Sequence, residues 1–332
     1  MKAIQVTSFG GPEVLQYTEI EEPEVKAGEV KVRLKAAGLN PSEAYVLTGT
    51  YAFYKPDLPF TPGFDGAGIV EAVGEGVQGL KVGDRVFTVG LLAERNTGTY
   101  AEKVVVDADC VCPLPEQVSF EAGASLGVPA LAAYRALFHI GQLEAGETVL
   151  IHGASGAVGS LAVQMARTFG AKVIGTAGES NDQGKEIILE SGTHHAISHI
   201  TEENKTELLE LTEGKGPDLI IEMLANENLQ TDLEVLAPNG RIVIVGNRGE
   251  IEINPRLTME KEAKILGMAV WHVSEEDHIE SLSAISSYLE SGSLNPYIGE
   301  AYLLSKAREV HEKLLDKPGN GKMILTIDES DR

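Results

Sequence analysis

A chain of 332 residues is too long for one ordinary hydrophobic core, and its 43% hydrophobic content is that of a folded protein, so about two domains are expected. The net charge of −23 argues against a broad phosphate-binding face and hence against nucleic-acid binding; a dinucleotide would have to be held locally, by backbone amides and a few placed cations. No apolar run reaches the ~18 residues of a membrane span. Met1 leads into a strand-like segment rather than a secretory signal, and Cys110 and Cys112 lie too close together to staple a fold, which together point to a reducing cytoplasm.

The opening stretch reads as short strands and turns. Alternation predicts strands over 2–7, 29–36, 68–73, 85–89 and 99–106, with a turn at Gly10-Gly11-Pro12. Helical spacing follows over 119–139. From Thr148 strands alternate with helices: strands over 149–152, 172–176, 219–221 and 241–245, and a helix over 158–169 directly after the first. Such alternation builds a doubly wound parallel sheet. After about Leu266 the elements are mixed again, ending in a strand over 323–327 and a charged tail, 328–332, expected to fray. The expected architecture is therefore α/β: a doubly wound nucleotide domain over 123–266, inserted into a mainly β domain built from 1–122 and 267–332.

The sharpest local signal is His152-Gly153-Ala154-Ser155-Gly156-Ala157-Val158-Gly159, after a predicted strand and opening a predicted helix. That context supplies a tight turn, backbone amides for a pyrophosphate and a positive helix end. Gly156 allows a phosphate close approach and Gly159 lets helix and strand pack, while Ala154 replaces the first glycine of the usual G-x-G-x-x-G. Where an NAD enzyme usually places an acid for the ribose 2′-hydroxyl, this chain has Ala177, which leaves room for a phosphate. Glu179 and Asp182 follow and would repel it, and Lys185 is either its counter-charge or a solvated lysine at a helix start. NADPH is favoured over NADH.

With these features the chain resembles the medium-chain dehydrogenase/reductases, and within them the zeta-crystallin-like quinone oxidoreductases. The match is densest at 9–15 (FGGPEVL), Gly38-Leu39-Asn40-Pro41, Thr61-Pro62-Gly63, Val82-Gly83-Asp84-Arg85-Val86, 221–226 (IEMLAN) and 245–256 (VGNRGEIEINPR). The resemblance implies a Rossmann nucleotide domain in a GroES-like catalytic domain, and NADPH contacts at Tyr45, Ser155, Gly156, Ala157, Val158, Gly178, His199, Asn228, Val245, Gly246, Asn247, Arg248, Met268, Ala269 and Val270. Of these, Tyr45 would lie beside the nicotinamide, while Gly178 and His199 would border the adenosine ribose. Lys317 would be a further cation near its phosphate. A homodimer or homotetramer is implied by resemblance alone. Two departures stand out: Ala132 replaces a threonine usual near the nicotinamide, and a short insertion falls around Asn181-Asp182.

Zinc relatives are the competing class. Their first cysteine and histidine ligand positions are here Asn40 and Pro41, their Gly-His-Glu is Gly63-Phe64-Asp65, and two cysteines cannot supply a four-cysteine structural site. Cys110-Val111-Cys112 reads as strand with buried thiols, and His194-His195 as an exposed pair without a metal role. No metal is therefore expected. Without a Lewis acid the acceptor must already be electrophilic, a quinone or a conjugated enone. Tyr45 is the first candidate for a hydrogen-bond donor or ring wall and Asn40 the second; Tyr51, Phe53 and Tyr54 suggest a flat apolar pocket. The expected activity is an NADPH:quinone oxidoreductase, the alternatives being a 2-alkenal/enone reductase or a non-enzymatic, crystallin-like NADPH-binding protein.

Overall fold

The computed structural model describes residues 1–178, 181–202, 204–314 and 319–327. Glu179, Lys317 and the tail 328–332, on which readings above fall, lie outside them. The chain divides into two compact units, Met1–Val128 with Pro296–Arg332, and Pro129–Asn295.

The first unit carries β1 (Lys2–Gln5), β2 (Gln16–Glu19), β3 (Glu29–Gly38), α1 (Pro41–Leu47), β4 (Asp65–Val73), β5 (Arg85–Val89), β6 (Lys103–Asp107), β7 (Val111–Pro113) and the short α2 (Phe120–Ala124). The helix α3 (Gly127–Tyr134) runs into a π-helical turn, Arg135–Ile140. The second unit continues as β8 (Thr148–Ile151), α4 (Ala157–Phe169), β9 (Lys172–Ala177), α5 (Asp182–Glu190), β10 (His195–Ser198), α6 (Lys205–Leu211), β11 (Leu219–Glu222), α7 (Ala225–Val235), β12 (Arg241–Ile244), α8 (Arg256–Lys261), β13 (Lys264–Gly267) and α9 (Glu275–Glu290). The chain returns to the first unit with β14 (Ile298–Leu303), α10 (Ala307–Leu314) and β15 (Lys322–Thr326).

In the first unit a seven-stranded sheet runs β14-β15-β3-β4-β5-β7, with β6 also pairing β3. Every pair in it is antiparallel except β14 with β15. The period-two pattern of β3 sends Val30, Val32 and Leu34 into a core shared with Val104, Val106, Leu325 and, from α10, Val310 and Leu314. Lys31 and Arg33, between them, are only partly buried, as half-buried alternation requires.

In the second unit the six-stranded sheet β10-β9-β8-β11-β12-β13 is parallel throughout. Its order reverses between β8 and β11, and the carboxyl side of such a point is where doubly wound sheets bind ligands.

The structure departs from the sequence reading in several places. The second unit extends to Asn295 rather than to residue 266. The reason is that β13 completes its sheet, Tyr134 and Arg135 bond to Glu280 and Asp277 of α9, and Gln164 bonds to both the N–H and C=O of Asn295. The predicted helix over 119–139 is two helices and a π-helical turn, because Ser119 caps the first helix, Ser125 ends it and Pro129 sits in the first turn of the second. The strand predicted from residue 99 begins at Lys103, since Thr99 and Tyr100 bond instead to Gly63 and Pro62. Cys110 ends a 3₁₀ turn and only Cys112 lies in β7; both thiols are buried and free. His195 opens β10, a strand the pattern did not announce, although it and His194 are exposed as expected.

Candidate functional site

The glycine turn joins β8 to α4. Gly153 has φ +56°, a left-handed conformation that glycine adopts without cost, and the Gly156 amide donates to its carbonyl at 2.9 Å. Ala154, buried with its N–H on the Thr176 carbonyl at 2.9 Å, makes the turn without a glycine. At Gly159 an added Cβ would lie 2.4 Å from the Gly153 carbonyl, so helix and turn close only on a glycine there. Gly156 caps α4 with extended backbone and supplies no side-chain cap bond. The first-turn amides of this 13-residue helix therefore lack an intrahelical partner and a cap side chain among the described residues, which suits a pyrophosphate.

The other proposed contacts gather along the same carboxyl edge. Gly178 follows β9, and His199 follows β10 with its N–H on the Ala177 carbonyl at 3.0 Å. Val245 and Gly246 follow β12 and donate to the Glu222 carbonyl; an added Cβ at Gly246 would stand 2.3 Å from the Met223 carbonyl. Asn226 accepts from the Arg248 amide at 2.8 Å, and Asn247 is tied to the Gly249 carbonyl. Asn228 bonds to the Glu222 carboxylate at 3.1 Å. Met268, Ala269 and Val270 follow β13, where the Met268 amide meets the Ile244 carbonyl. Lys185 stands in the first turn of α5, whose N-cap, Asn181, accepts from Gly184 at 2.8 Å. Ala177 is buried.

One cluster at this edge escaped the sequence reading. His152, fully buried, places Nε2 2.8 Å from Asp232 Oδ1 and 3.5 Å from Glu222 Oε2. Burial alone would lower its pKa, but the Asp232 and Glu222 carboxylates outweigh this and lift it to about 9. Burial likewise pushes the Glu222 carboxyl up, to about 7, against the pull of His152. On the far side of the ring, Nδ1 lies 3.4 Å from the Thr176 hydroxyl, which also meets His199 Nδ1 at 3.0 Å and the Gly153 amide at 3.3 Å. Burial and the His152 charge hold the His199 pKa down. The available signal was a charged residue directly after an apolar strand, twice: His152 after β8 and Glu222 at the end of β11.

In the first unit the candidates surround α1. Tyr45 is half-buried, its ring stacked on Tyr51 at 6.2 Å and 17°, and Tyr51 meets Phe53 edge-on at 5.4 Å. Phe53 and Tyr54 are exposed, so these rings form a surface rather than a core. Asn40 caps α1 in a capping box with Glu43. Its amide donates to Glu43 Oε1 at 3.2 Å and to Asp65 Oδ2 at 2.9 Å, while its carbonyl oxygen accepts from the Lys322 ammonium. Both amide hydrogens are thus committed, and in this arrangement Asn40 holds neighbours in place rather than offering a proton. Lys322 also pairs with Asp65 at 2.9 Å, both side chains being almost wholly buried. Glu43 accepts from the Tyr100 hydroxyl, which in turn meets His311 Nε2 at 3.0 Å. Burial lifts the Glu43 carboxyl to about 7 despite the Tyr100 and Asn40 bonds, and lowers His311 to about 4.

Among the described residues two clusters have spacing that could surround a metal ion: His139–Asp277–Glu280, and His152–Glu222–Asp232. Neither includes the positions where zinc relatives carry ligands. No helix among the described residues is long and apolar enough to cross a membrane.

Residues 26–116 match the alcohol dehydrogenase GroES-like domain, and residues 157–287 the domain described as zinc-binding dehydrogenase. A quinone oxidoreductase of Rattus norvegicus is 44% identical over 330 residues, covering 98% of each chain. Among solved structures, an NAD-dependent alcohol dehydrogenase superposes with a TM-score of 0.89 at 30% identity, covering 99% of this chain and 100% of the other. The Escherichia coli quinone oxidoreductase complexed with NADPH gives 0.82 at 28% identity, covering 98% and 100%.

Proposed function

This chain belongs to the quinone oxidoreductase family of the medium-chain dehydrogenase/reductases, and from that membership we propose that it reduces quinones with NADPH and without zinc. It is an oxidoreductase built on a nicotinamide-cofactor domain. The observation that carries the reading is the carboxyl edge of the parallel sheet, where the open amides of α4 and the residues after β9, β10, β12 and β13 gather at the reversal of strand order. The cofactor supplies the hydride. Ser155, Gly156, Ala157 and Val158 would hold its pyrophosphate, Gly178, Lys185 and His199 its adenosine end, and Asn228, Val245–Arg248 and Met268–Val270 the rest. Ala177 at the usual acid position favours NADPH.

Tyr45, stacked on Tyr51, offers a ring wall suited to a planar acceptor, and the Tyr45 hydroxyl is the proposed donor to its oxygen. Zinc independence is supported by Asn40, Pro41 and Phe64 at the ligand positions, with Asn40 and Asp65 already bound to an ammonium. A cytoplasmic homodimer or homotetramer belongs to the same proposal. The test is NADPH consumption with a panel of benzoquinones, naphthoquinones and enones, before and after exhaustive chelation, alongside fluorescence titration with NADPH and NADH. We expect quinone-dependent turnover that survives chelation, and tighter binding of NADPH. Chelator-sensitive turnover with stoichiometric zinc, or tighter NADH, defeats the corresponding part.

A further inference from the structure

We propose that His152 and Thr176 fix the ring tautomer of His199 so that its Nε2–H is presented as a hydrogen-bond donor to the 2′-phosphate of NADPH; the recipient rests on the cofactor reading above. The Thr176 hydroxyl has one hydrogen to give and two lone pairs to fill. Three partners surround it: the Gly153 amide at 3.3 Å, which can only donate, and the Nδ1 atoms of His152 at 3.4 Å and His199 at 3.0 Å. If His152 donates from Nδ1, both lone pairs are filled and the hydroxyl hydrogen must go to His199 Nδ1. His199 is then neutral, with its proton on Nε2, on the side of the ring away from Thr176.

The surroundings of His152 supply that donor. Its Nε2 faces Asp232 of α7 at 2.8 Å and Glu222 of β11 at 3.5 Å, so one ring nitrogen is committed as N–H toward two carboxylates. With the ring charged, its other nitrogen is also N–H; the elevated His152 pKa and depressed His199 pKa agree with this assignment. Were His152 neutral, Thr176 would donate to it, His199 would donate to Thr176 through Nδ1, and a bare Nε2 lone pair would face any phosphate. The chain from α7 through β8 and β9 to the residue after β10 thus decides whether the edge attracts or repels an anion, without placing a full charge on His199.

The experiment reads the tautomer directly. Nitrogen-15 NMR of the ring nitrogens in the cofactor-free protein at neutral pH should show His199 protonated on Nε2 alone and His152 on both nitrogens. Thr176→Val keeps the shape but removes the hydroxyl; it should mix the His199 tautomers, and an even mixture weakens NADPH by about twofold, the reciprocal of the remaining Nε2–H fraction, while NADH is unchanged. Thr176→Ser should restore both the spectrum and the affinity. Protonation of His199 on Nδ1 in the parent protein overturns the relay whatever the cofactor. Equal weakening of both cofactors by Thr176→Val, or of neither, overturns it as well. If the parent protein keeps the Nε2–H tautomer but prefers NADH, the NADPH reading falls and takes the proposed recipient with it.

Discussion

At the residue scale, the question is what protonates the reduced acceptor. Asn40 has spent its amide hydrogens on Glu43 and Asp65, which leaves Tyr45 as the proposed donor. Removing one donor aimed at a developing oxyanion costs about 2.7 kcal/mol, or ~10²-fold in rate. Tyr45→Phe is therefore expected to slow enone reduction by ~10²-fold with little change in NADPH affinity, because the stack on Tyr51 survives. The loss with a quinone should be smaller, since a quinone accepts electrons with less help. Tyr45→Ala should additionally raise KM through the lost ring. Steady-state kinetics with one enone and one quinone decide the matter: full turnover of Tyr45→Phe with both would reduce Tyr45 to a packing residue.

At the scale of elements, the joint between α1, β4 and β15 brings one cation to two buried polar side chains. Lys322 is delivered by β15, whose pairing with β3 sets Ile324 opposite Gly38; an added Cβ on Gly38 would stand 2.8 Å from Lys322 Cε. The ammonium neutralises Asp65, whose other oxygen accepts from the Val128 amide at 2.8 Å. Removing one member of a buried pair leaves an uncompensated charge and costs about 3–5 kcal/mol, whereas replacing both can be nearly neutral. Lys322→Met should thus lower the unfolding free energy in urea by about that much, and Lys322→Met with Asp65→Asn should lie closer to the parent. A double variant as unstable as the sum of the singles would show that the two side chains do not act on each other.

None of this joint was legible in the sequence, because its partners are 257 and 282 residues apart and only the sheet register brings them together. The strands were legible where alternation or an apolar run stood alone, as in β5, β8 and β12. They were missed where four-residue segments of mixed character became strands by pairing with a neighbour already in place, as β10 does on β9 and β13 on β12. The edge of the nucleotide unit was legible at the glycine turn, since its chemistry is local. The His152–Thr176–His199 chain was not, because it joins three strand ends that adjoin only in the folded sheet.

At the scale of the whole molecule, four buried groups set how stability follows pH, and their signs differ. His311, lowered to about 4, binds fewer protons folded than unfolded, so its contribution grows as pH rises from about 4 toward 6.5. Glu43 and Glu222, raised to about 7, act the other way: they favour the fold when protonated, and that support is lost as pH rises from about 4.5 to 7. The acid side is therefore a partial cancellation. His152 stands apart, because its support is complete below the unfolded value near 6.5 and is lost as pH climbs through about 9. Burial raises the thiols of Cys110 and Cys112 above 9, so they enter only beyond that limb. The net charge of −23 adds general self-repulsion that does not favour the alkaline side either. The cofactor-free protein should accordingly lose thermal stability steadily between pH 6.5 and 9, and Asp232→Asn, which removes the main partner of the charged His152, should flatten that limb while lowering its starting point. Thermal unfolding followed across this range in buffers of equal ionic strength checks both. A parent curve that stays level or rises from 6.5 to 9 would mean that His152 is neutral in the fold, and the charge that orders the edge of the nucleotide sheet would then have to come from elsewhere.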